Sequence, residues 1–137
     1  SWVKRITVMF SGVSTSGTSV LQLQLGTSSG VETSGYAGIM TTSINTGSTA
    51  VQNLSTGIIT SDAGGASATA VRHGTFTFTY MGSNLWTFTG GLGYSDQTRY
   101  SMAFGSKTTA ATLDRVRITT VNGTDTFDAG SINILYE

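Results

Sequence analysis

The sequence predicts an all-β protein, and three observations lead to this fold class. The chain has 18 glycines, no proline and many threonines, but few strong helix formers. Apolar and polar residues alternate in short segments, which is the period of a strand with one buried face. Turn residues separate these segments about every 8–12 residues, as in β-sandwiches and barrels. We therefore expect one antiparallel, jelly-roll-like β-sandwich domain over residues 1–137.

The first part of the chain predicts two strands joined by a polar loop. Residues 2–10 (WVKRITVMF) alternate apolar and polar side chains and form the first strand. Residues 11–19 are rich in Ser, Thr and Gly, so we expect a loop there. Residues 20–27 (VLQLQLGT) show the most regular alternation, with the leucines on one face and the glutamines on the other.

The next part of the chain gives weaker signals. Residues 28–30 form a turn, and residues 31–44 are ambiguous because they contain few bulky apolar side chains. The segments 50–54 and 57–60 read as short strands, and residues 62–67 form a Gly/Ala loop. We find no segment with a helical period and helix caps.

Residues 69–80 and 85–89 predict an antiparallel hairpin around the turn Gly82-Ser83-Asn84. Aromatic residues on one face of each strand should pair across the hairpin, and each such pair contributes about 0.2–1 kcal/mol. Residues 90–97 (GGLGYSDQ) read as the most irregular loop. Residues 98–104 then form a strand that carries Tyr100, Met102 and Phe104.

The C-terminal segment contains a strong strand signal and a strong turn signal. Residues 115–120 alternate as a half-buried strand, and residues 131–137 (SINILYE) form an apolar final strand. Asn122-Gly123 between them favours a type I′ hairpin, because both residue types tolerate positive φ. We therefore expect a closing hairpin at the C-terminus.

The two ends of the chain resemble a known family. Residues 114–137 (DRVRITTVNGTDTFDAGSINILYE) are similar to the C-terminal end of bacteriophage virion proteins, the tail-fibre or receptor-binding tips. Residues 1–19 (SWVKRITVMFSGVSTSGTS) are similar to the opening of the same domain. The resemblance is weak between residues 30 and 109. It implies a homotrimeric, jelly-roll-like tip of a longer fibre polypeptide, located in the virion and in contact with other virion proteins.

Charge and composition argue against several kinds of partner and cofactor. Seven basic residues balance seven acidic ones, and only 10% of residues are charged, against about 25% in ordinary soluble domains. This balance provides no electrostatic footprint for nucleic acid. No apolar run reaches the length of about 18 residues that a membrane helix needs, so we expect no membrane insertion. The absence of cysteine removes disulfides and thiolate ligands.

Catalytic and metal-binding patterns are weak, so we predict no catalytic residue, metal or cofactor. His73 is the only histidine, and a Ser-His-Asp triad written around it has little value in a serine-rich chain. Asp125 and Asp128 form the best carboxylate pair for glycan hydrolysis, but the motif TDTFDAG is more typical of turn-capping aspartates. A calcium ion held by these two aspartates on a trimer axis is the remaining metal hypothesis.

Three arginines, at positions 5, 115 and 117, lie on predicted strands. They are expected to pair with Asp114, Asp125 or Glu137, either across strands or across a subunit interface. The alternative is a set of exposed surface ion pairs that contribute about 0–1 kcal/mol each.

A binding site is the better functional hypothesis. Aromatic and planar polar residues cluster in sequence around the glycine-rich segment GLGYSDQTRY, and the candidate ligand-binding residues are Trp86, Tyr94, Asp96, Gln97, Arg99 and Tyr100. Sugar recognition combines an aromatic face with polar groups that orient the hydroxyls. The opposing interpretation is that Trp86 and Tyr100 belong to the core and the loop is a solvated tip.

Three functions remain open. The first is a non-enzymatic fibre or spike tip that attaches to a bacterial surface receptor, either a glycan or a protein. The second is a capsid or fibre decoration module that assembles without binding a receptor. The third is a polysaccharide hydrolase, which requires two carboxylates about 5–10 Å apart in a cleft.

Overall fold

The computed structural model describes residues 2–137, which form two antiparallel β-sheets. The strands in chain order are β1 (Arg5–Thr15), β2 (Leu21–Thr27), β3 (Gly30–Val31), β4 (Tyr36–Ile44), β5 (Thr49–Leu54), β6 (Ile58–Ile59), β7 (Arg72–Gly82), β8 (Leu85–Tyr94), β9 (Arg99–Thr108), β10 (Arg115–Thr120) and β11 (Phe127–Tyr136). A 3₁₀ turn at Ala63–Gly65 is the one helical element within the described residues. The all-β prediction is confirmed.

The seven-stranded sheet has the order β11-β1-β7-β8-β9-β4-β5. The smaller sheet has the order β10-β2-β3, and β6 also pairs with β2. Every strand pair is antiparallel. The two sheets share one hydrophobic core because the leucines of β2 and the aromatic residues of β7 and β8 belong to a single buried cluster.

The predicted aromatic hairpin is confirmed as β7 and β8. Ser83 and Asn84 both have positive φ, 49° and 61°, as the two central residues of a type I′ turn require. Phe78 lies opposite Phe88 and Tyr80 lies opposite Trp86. The ring centroids of these two pairs are 6.5 and 5.2 Å apart. Local turn chemistry and aromatic pairing therefore agree in this part of the chain.

The first strand differs from the prediction at both of its ends. It begins at Arg5 and continues to Thr15, through residues that were expected to form a loop. The pairing register shifts around Gly12, whose φ is +66°, so this glycine forms a bulge. The bulge keeps the chain in the sheet and turns Val13 and Thr15 into the interior.

The glutamines of β2 lie on the opposite face of the strand from its leucines, as the alternation predicts, yet both faces of the strand are buried. β2 is the central strand of the small sheet, with β10 on one side and both β3 and β6 on the other. The loop between β5 and β6 covers its outer face, and the Gln24 amide donates to the Thr56 carbonyl over 2.7 Å. The ambiguous segment 31–44 contains the end of β3 and all of β4.

The predicted closing hairpin is wrong. β10 pairs with β2 in the small sheet, whereas β11 pairs with β1 at the edge of the large sheet. Among the described non-glycine residues, only Ser83 and Asn84 have positive φ, so Asn122-Gly123 is not a type I′ turn. The Asn122 side-chain oxygen instead accepts from the backbone N–H groups of Thr124 and Asp125, at 3.0 and 3.1 Å. This link carries the chain from one sheet to the other.

Candidate binding groove

Trp86 and Tyr94 lie at opposite ends of β8 and do not form one site. They are eight positions apart, which corresponds to about 27 Å at about 3.4 Å per residue of extended strand. Trp86 is 2% exposed and packs against Tyr80 in the core. Its edge lies under a hollow of about 270 Å³ that Leu113 and Tyr136 also line. The prediction of a single cluster containing both residues is therefore corrected.

The glycine-rich segment is mainly strand and not loop, which is the reason for this correction. Residues 90–94 belong to β8, and the turn begins only at Ser95. A Cβ at Gly90 would lie 2.2 Å from the Thr75 carbonyl oxygen. A Cβ at Gly91 would lie 2.3 Å from the Ser101 carbonyl oxygen. These glycines allow close approach between neighbouring strands, which is a packing role.

Tyr94 packs in the protein interior, and Asp96 binds a backbone N–H group. Tyr94 is 8% exposed, and the Arg72 guanidinium carbon lies 5.9 Å from its ring centroid. Asp96 is exposed, and its carboxylate accepts from the Val71 N–H over 2.9 Å. The Ser95 N–H also donates to the Val71 carbonyl, so this turn is fastened to the start of β7.

Gln97, Arg99 and Tyr100 do come together, in a surface groove of about 390 Å³. The ends of β4 and β9 build it, and it is lined by Ser43, Ile44, Asn45, Gln97, Thr98, Arg99 and Tyr100. The Asn45 N–H donates to the Thr98 carbonyl over 3.0 Å, which ties the two walls together. We call these seven residues the groove. Its volume lies within the range of about 300–1,000 Å³ that is common for ligand sites.

The groove combines an aromatic surface with fixed polar groups. Tyr100 is 51% exposed, so about half of its surface is accessible to a ligand. The Arg99 guanidinium donates to the Asp62 carboxylate over 3.2 Å, in a pair whose side chains are 15% and 17% exposed. Asp62 also accepts from the Gly65 N–H and caps the 3₁₀ turn. This chain of contacts holds the guanidinium in one orientation.

An exposed apolar surface continues from the groove across the outer face of the large sheet. Met102 and Phe104 follow Tyr100 on the same side of β9, and Phe104 lies opposite Ile39 of β4. Five side chains form this surface, each at least 40% exposed, and we call them the outer apolar patch: Ile39, Val51, Tyr100, Met102 and Phe104. Sequence alternation identified the β9 members but did not show which face of the sheet they occupy.

The catalytic candidates are engaged in structural contacts. His73 accepts a hydrogen bond from the Gly12 N–H over 3.1 Å, at the bulge of β1. Asp125 accepts from the Ser19 N–H and the Asn122 amide, each over 2.8 Å, and these contacts lower its pKa. The Ser14 hydroxyl donates to Asp128. Within residues 2–137, no group of three or more His, Asp or Glu side chains is placed to hold a metal ion.

The predicted arginine pairs are confirmed in part. Arg5 pairs with Glu137 across neighbouring chain segments over 3.4 Å, whereas Arg115 pairs with its sequence neighbour Asp114 over 2.7 Å and not across strands. Both pairs are exposed, which fits the alternative of surface ion pairs. Arg117 instead donates to the side-chain oxygen of Gln24. Gln24 is buried opposite Arg117 in the small sheet, so a neutral acceptor takes the place of the predicted carboxylate.

The chain matches no protein-family model, and no curated protein or solved structure is significantly similar to it. The resemblance of its two ends to phage fibre tips therefore stays a prediction. No helix within residues 2–137 is long and apolar enough to cross a membrane.

Proposed function

We propose that this chain is a non-enzymatic attachment domain of a phage virion, at the tip of a tail fibre or spike. Its receptor is a bacterial surface glycan, which it binds in the groove. The domain is a jelly-roll-like sandwich that assembles as a homotrimer. Two antiparallel sheets around one core support the sandwich. The link from β10 to β11 leads from the small sheet to the large sheet, as in Greek-key connections.

The observation that carries the receptor-binding proposal is the composition of the groove. Tyr100 is half-exposed and lines the groove with Gln97 and Arg99, where Arg99 and Tyr100 begin β9 and Gln97 lies in the turn just before that strand. Pyranose rings stack their apolar face on aromatic side chains, and planar polar groups bind their hydroxyls. The hydrogen bond between the Asn45 N–H and the Thr98 carbonyl fixes the two turns that complete the groove, and this reduces the entropy lost when a ligand binds.

The outer apolar patch supports the assembly proposal. Tyr100 belongs to the groove, so the second copy covers the other four patch residues. If a large side chain offers about 200 Å² in full, four half-exposed side chains present on the order of 400 Å². This lies within the range of the largest apolar patch on a soluble monomer, and such patches are often functional. The residues that the patch strands place on this face are uncharged, so contact with a second copy desolvates no ion there.

A decoration module that only assembles is the second candidate function. The outer apolar patch favours it, since an exposed apolar face suits contact with another protein whether or not a receptor binds. This candidate predicts that the groove takes no ligand and that changes to Gln97 leave adsorption to bacteria unaltered.

The hydrolase has the least support. Glycoside hydrolysis requires two carboxylates that face a substrate cleft. Both oxygens of Asp125 accept hydrogen bonds from the chain, and Asp128 accepts one from Ser14. Neither aspartate lines the groove. Release of reducing ends from host polysaccharide, lost on Asp125→Ala or Asp128→Ala, would replace our proposal with this one.

A glycan array with the purified chain tests receptor binding. We expect selective binding to some bacterial surface glycans, and an affinity loss of about tenfold in Gln97→Ala, which corresponds to one hydrogen bond of about 1.4 kcal/mol. Gln52→Ala is the matched control because Gln52 lies outside the groove. The absence of array binding, together with normal adsorption of phage that carries Gln97→Ala, would favour the decoration module.

A further inference from the structure

Two adjoining hollows lie beside Trp86, where the two sheets face each other. The larger has a volume of about 270 Å³ and the smaller about 40 Å³. Val3, Trp86 and Leu113 line both of them. Ile6 of the large sheet and Val116 of the small sheet complete the apolar wall of the larger hollow. The structure therefore has room for a small molecule at this end of the sandwich.

The indole of Trp86 supplies a hydrogen-bond donor to this space. Trp86 is 2% exposed, and within residues 2–137 its contact is with the Tyr80 ring, while its N–H group donates no hydrogen bond. The indole nitrogen is not fully enclosed, in contrast to the unpaired hydroxyl of Tyr94. Because Trp86 is otherwise buried and borders both hollows, its N–H group opens into them. A buried indole N–H normally has an acceptor, so a ligand carbonyl would fit here.

Asn84 adds a second polar group, in the wall of the smaller hollow. Its backbone N–H donates to the Tyr80 hydroxyl over 3.5 Å, and its carbonyl accepts from the Thr109 N–H over 3.0 Å. Its side-chain amide has no hydrogen-bond partner in the described part of the chain. This amide can both donate to a ligand and accept from it.

The charges at the rim of the larger hollow cancel each other. Asp114 and Arg115 line it, and two hydrogen bonds of 2.7 and 3.2 Å join their side chains. The other residues of both hollows are uncharged. A neutral ligand therefore suits this site better than an ion, since a charged ligand would lose its hydration without gaining a free counter-charge.

We propose that these hollows form a second binding site, which takes a neutral N-acetylated amino sugar. Its acetyl carbonyl accepts from the Trp86 N–H, and its methyl group packs on Ile6, Leu113 and Val116. The Asn84 amide accepts from the acetamido N–H, and the sugar hydroxyls lie toward the polar rim. The volume of 270 Å³ is just below the range of about 300–1,000 Å³ for larger ligands, so it suits a single ring.

This site is separate from the groove. The two share no residue. Trp86 pairs with Lys107 near the end of β9, whereas Tyr100 of the groove lies near the start of β9 and pairs with Gly93. The inference therefore does not rest on the proposed binding of a receptor in the groove.

Nuclear magnetic resonance of the tryptophan indole groups gives the direct test. The chain has two tryptophans, and Trp2 is 75% exposed, so Trp2→Phe assigns the two indole N–H signals. N-acetylglucosamine should shift the Trp86 signal with a dissociation constant on the order of 1 mM, as expected for about 15 non-hydrogen atoms. Glucose, which lacks the acetamido group, should leave the signal in place. A Trp86 signal that does not move at about tenfold this concentration, or that moves equally with glucose, would overturn the proposal.

Filling the larger hollow gives the second test. Val116→Phe places a phenyl ring in it and should abolish the response of Trp86 to N-acetylglucosamine. Val121→Phe, at an exposed valine outside both hollows, is the matched control and should retain the response. Gln97→Ala in the groove should also retain it. A full response in Val116→Phe, or a loss in Gln97→Ala, would contradict the assignment, and the titration of the unaltered chain does not depend on the folding of these variants.

Discussion

At the scale of single residues, Tyr36 places a hydroxyl group in the core between the two sheets. Its Oη accepts from the Leu25 N–H over 2.7 Å and donates to the Glu32 carbonyl over 3.1 Å. Burial is the main cause that raises the pKa of Tyr36, to about 12 from its ordinary 10.0. The bond from the Leu25 N–H joins β4 to β2, and the bond to the Glu32 carbonyl requires the protonated hydroxyl.

Tyr36→Phe should reduce the free energy of unfolding by about 1–3 kcal/mol, because the Leu25 N–H is left buried without a partner. The change should also reduce the sensitivity to alkali. In the unfolded chain Tyr36 ionises near pH 10 and in the folded chain near pH 12, so its stabilisation is present below pH 10 and is lost as the pH rises to 12. Urea titrations at several pH values measure both effects, with Tyr136→Phe as the control.

Lys107 is buried and pairs with Glu32, which also accepts from the Ala110 N–H over 2.8 Å. Burial opposes ionisation of Glu32, but the hydrogen bonds from Lys107 and Ala110 outweigh it and lower the pKa of Glu32 below its usual 4.5. Arg5 and Glu137 form the contrasting pair, since more than half of each side chain is exposed.

Glu32→Gln should cost about 2–4 kcal/mol, because it leaves the Lys107 ammonium buried without its counter-charge. The contribution of Glu32 is complete above pH 4.5 and is lost as the pH falls through its lowered pKa. Glu137→Gln should change stability by less than about 1 kcal/mol. Equal losses in the two variants, measured by thermal or urea unfolding at pH 7, would refute this account of the buried pair.

At the scale of elements, the glycines of β8 have different roles along one strand. Gly90 lies against the backbone of β7, whereas a Cβ at Gly93 would have its nearest neighbour 4.0 Å away. Neither residue has positive φ, so the two positions differ only in the room that the neighbouring atoms leave for a side chain. The segment that composition assigns to a loop is thus a strand that needs close approach at some positions and only tolerates glycine at others.

Gly90→Ala should destabilise the protein by about 3 kcal/mol or more, because its new methyl group would collide with the Thr75 carbonyl and separate β7 from β8. Gly93→Ala should change stability by less than about 1 kcal/mol, since ordinary contact distances remain. Urea unfolding of the two variants measures the difference. A tolerated alanine at position 90 would show that the strands can separate at little cost.

At the scale of the whole molecule, the large sheet has seven strands and the small sheet has four, so the two sheets differ in width. No other element of the described chain packs on the outer face of the large sheet. The outer apolar patch lies on this face, on the strands β9, β4 and β5 at one edge of the sheet. A second copy is the partner that our proposal assigns to this face. The groove lies beside the patch, and Tyr100 borders both, so our proposal leaves Tyr100 to the ligand and assigns Ile39, Val51, Met102 and Phe104 to the second copy.

Light scattering should give a mass near three times the 14.2 kDa of one chain. Phe104→Asp should convert the trimer to a monomer, because it places a charge within the outer apolar patch. Leu135→Asp is the matched control, a leucine of similar exposure on β11 at the far edge of the sheet. A monomer in the unaltered chain would contradict assembly through this face, and glycan binding would then be tested on the monomer.

What the sequence determined by itself is mostly local. Alternation identified the faces of β2 and β7, and the Ser83-Asn84 turn with its flanking aromatics identified one hairpin, because neighbours in sequence supply those interactions. Which strands belong to which sheet was decided by tertiary structure. Asn122-Gly123 has the composition of a hairpin turn, yet burial of Val116 and Ile118 against β2 places β10 in the other sheet.

For the candidate site too, the sequence determined one part and the tertiary structure the other. The sequence identified Gln97, Arg99 and Tyr100 because they are neighbours in the chain, and the structure places them in one groove. It grouped Trp86 and Tyr94 with them, but a strand separates these two residues and burial removes both from the surface. Asn45 was missed because only the pairing of β4 with β9 brings it to the groove. The chemical type of each residue, and of its neighbours in sequence, can be read from the sequence. Whether side chains are exposed, and which of them lie close together, depends on strand pairing across long sequence distances.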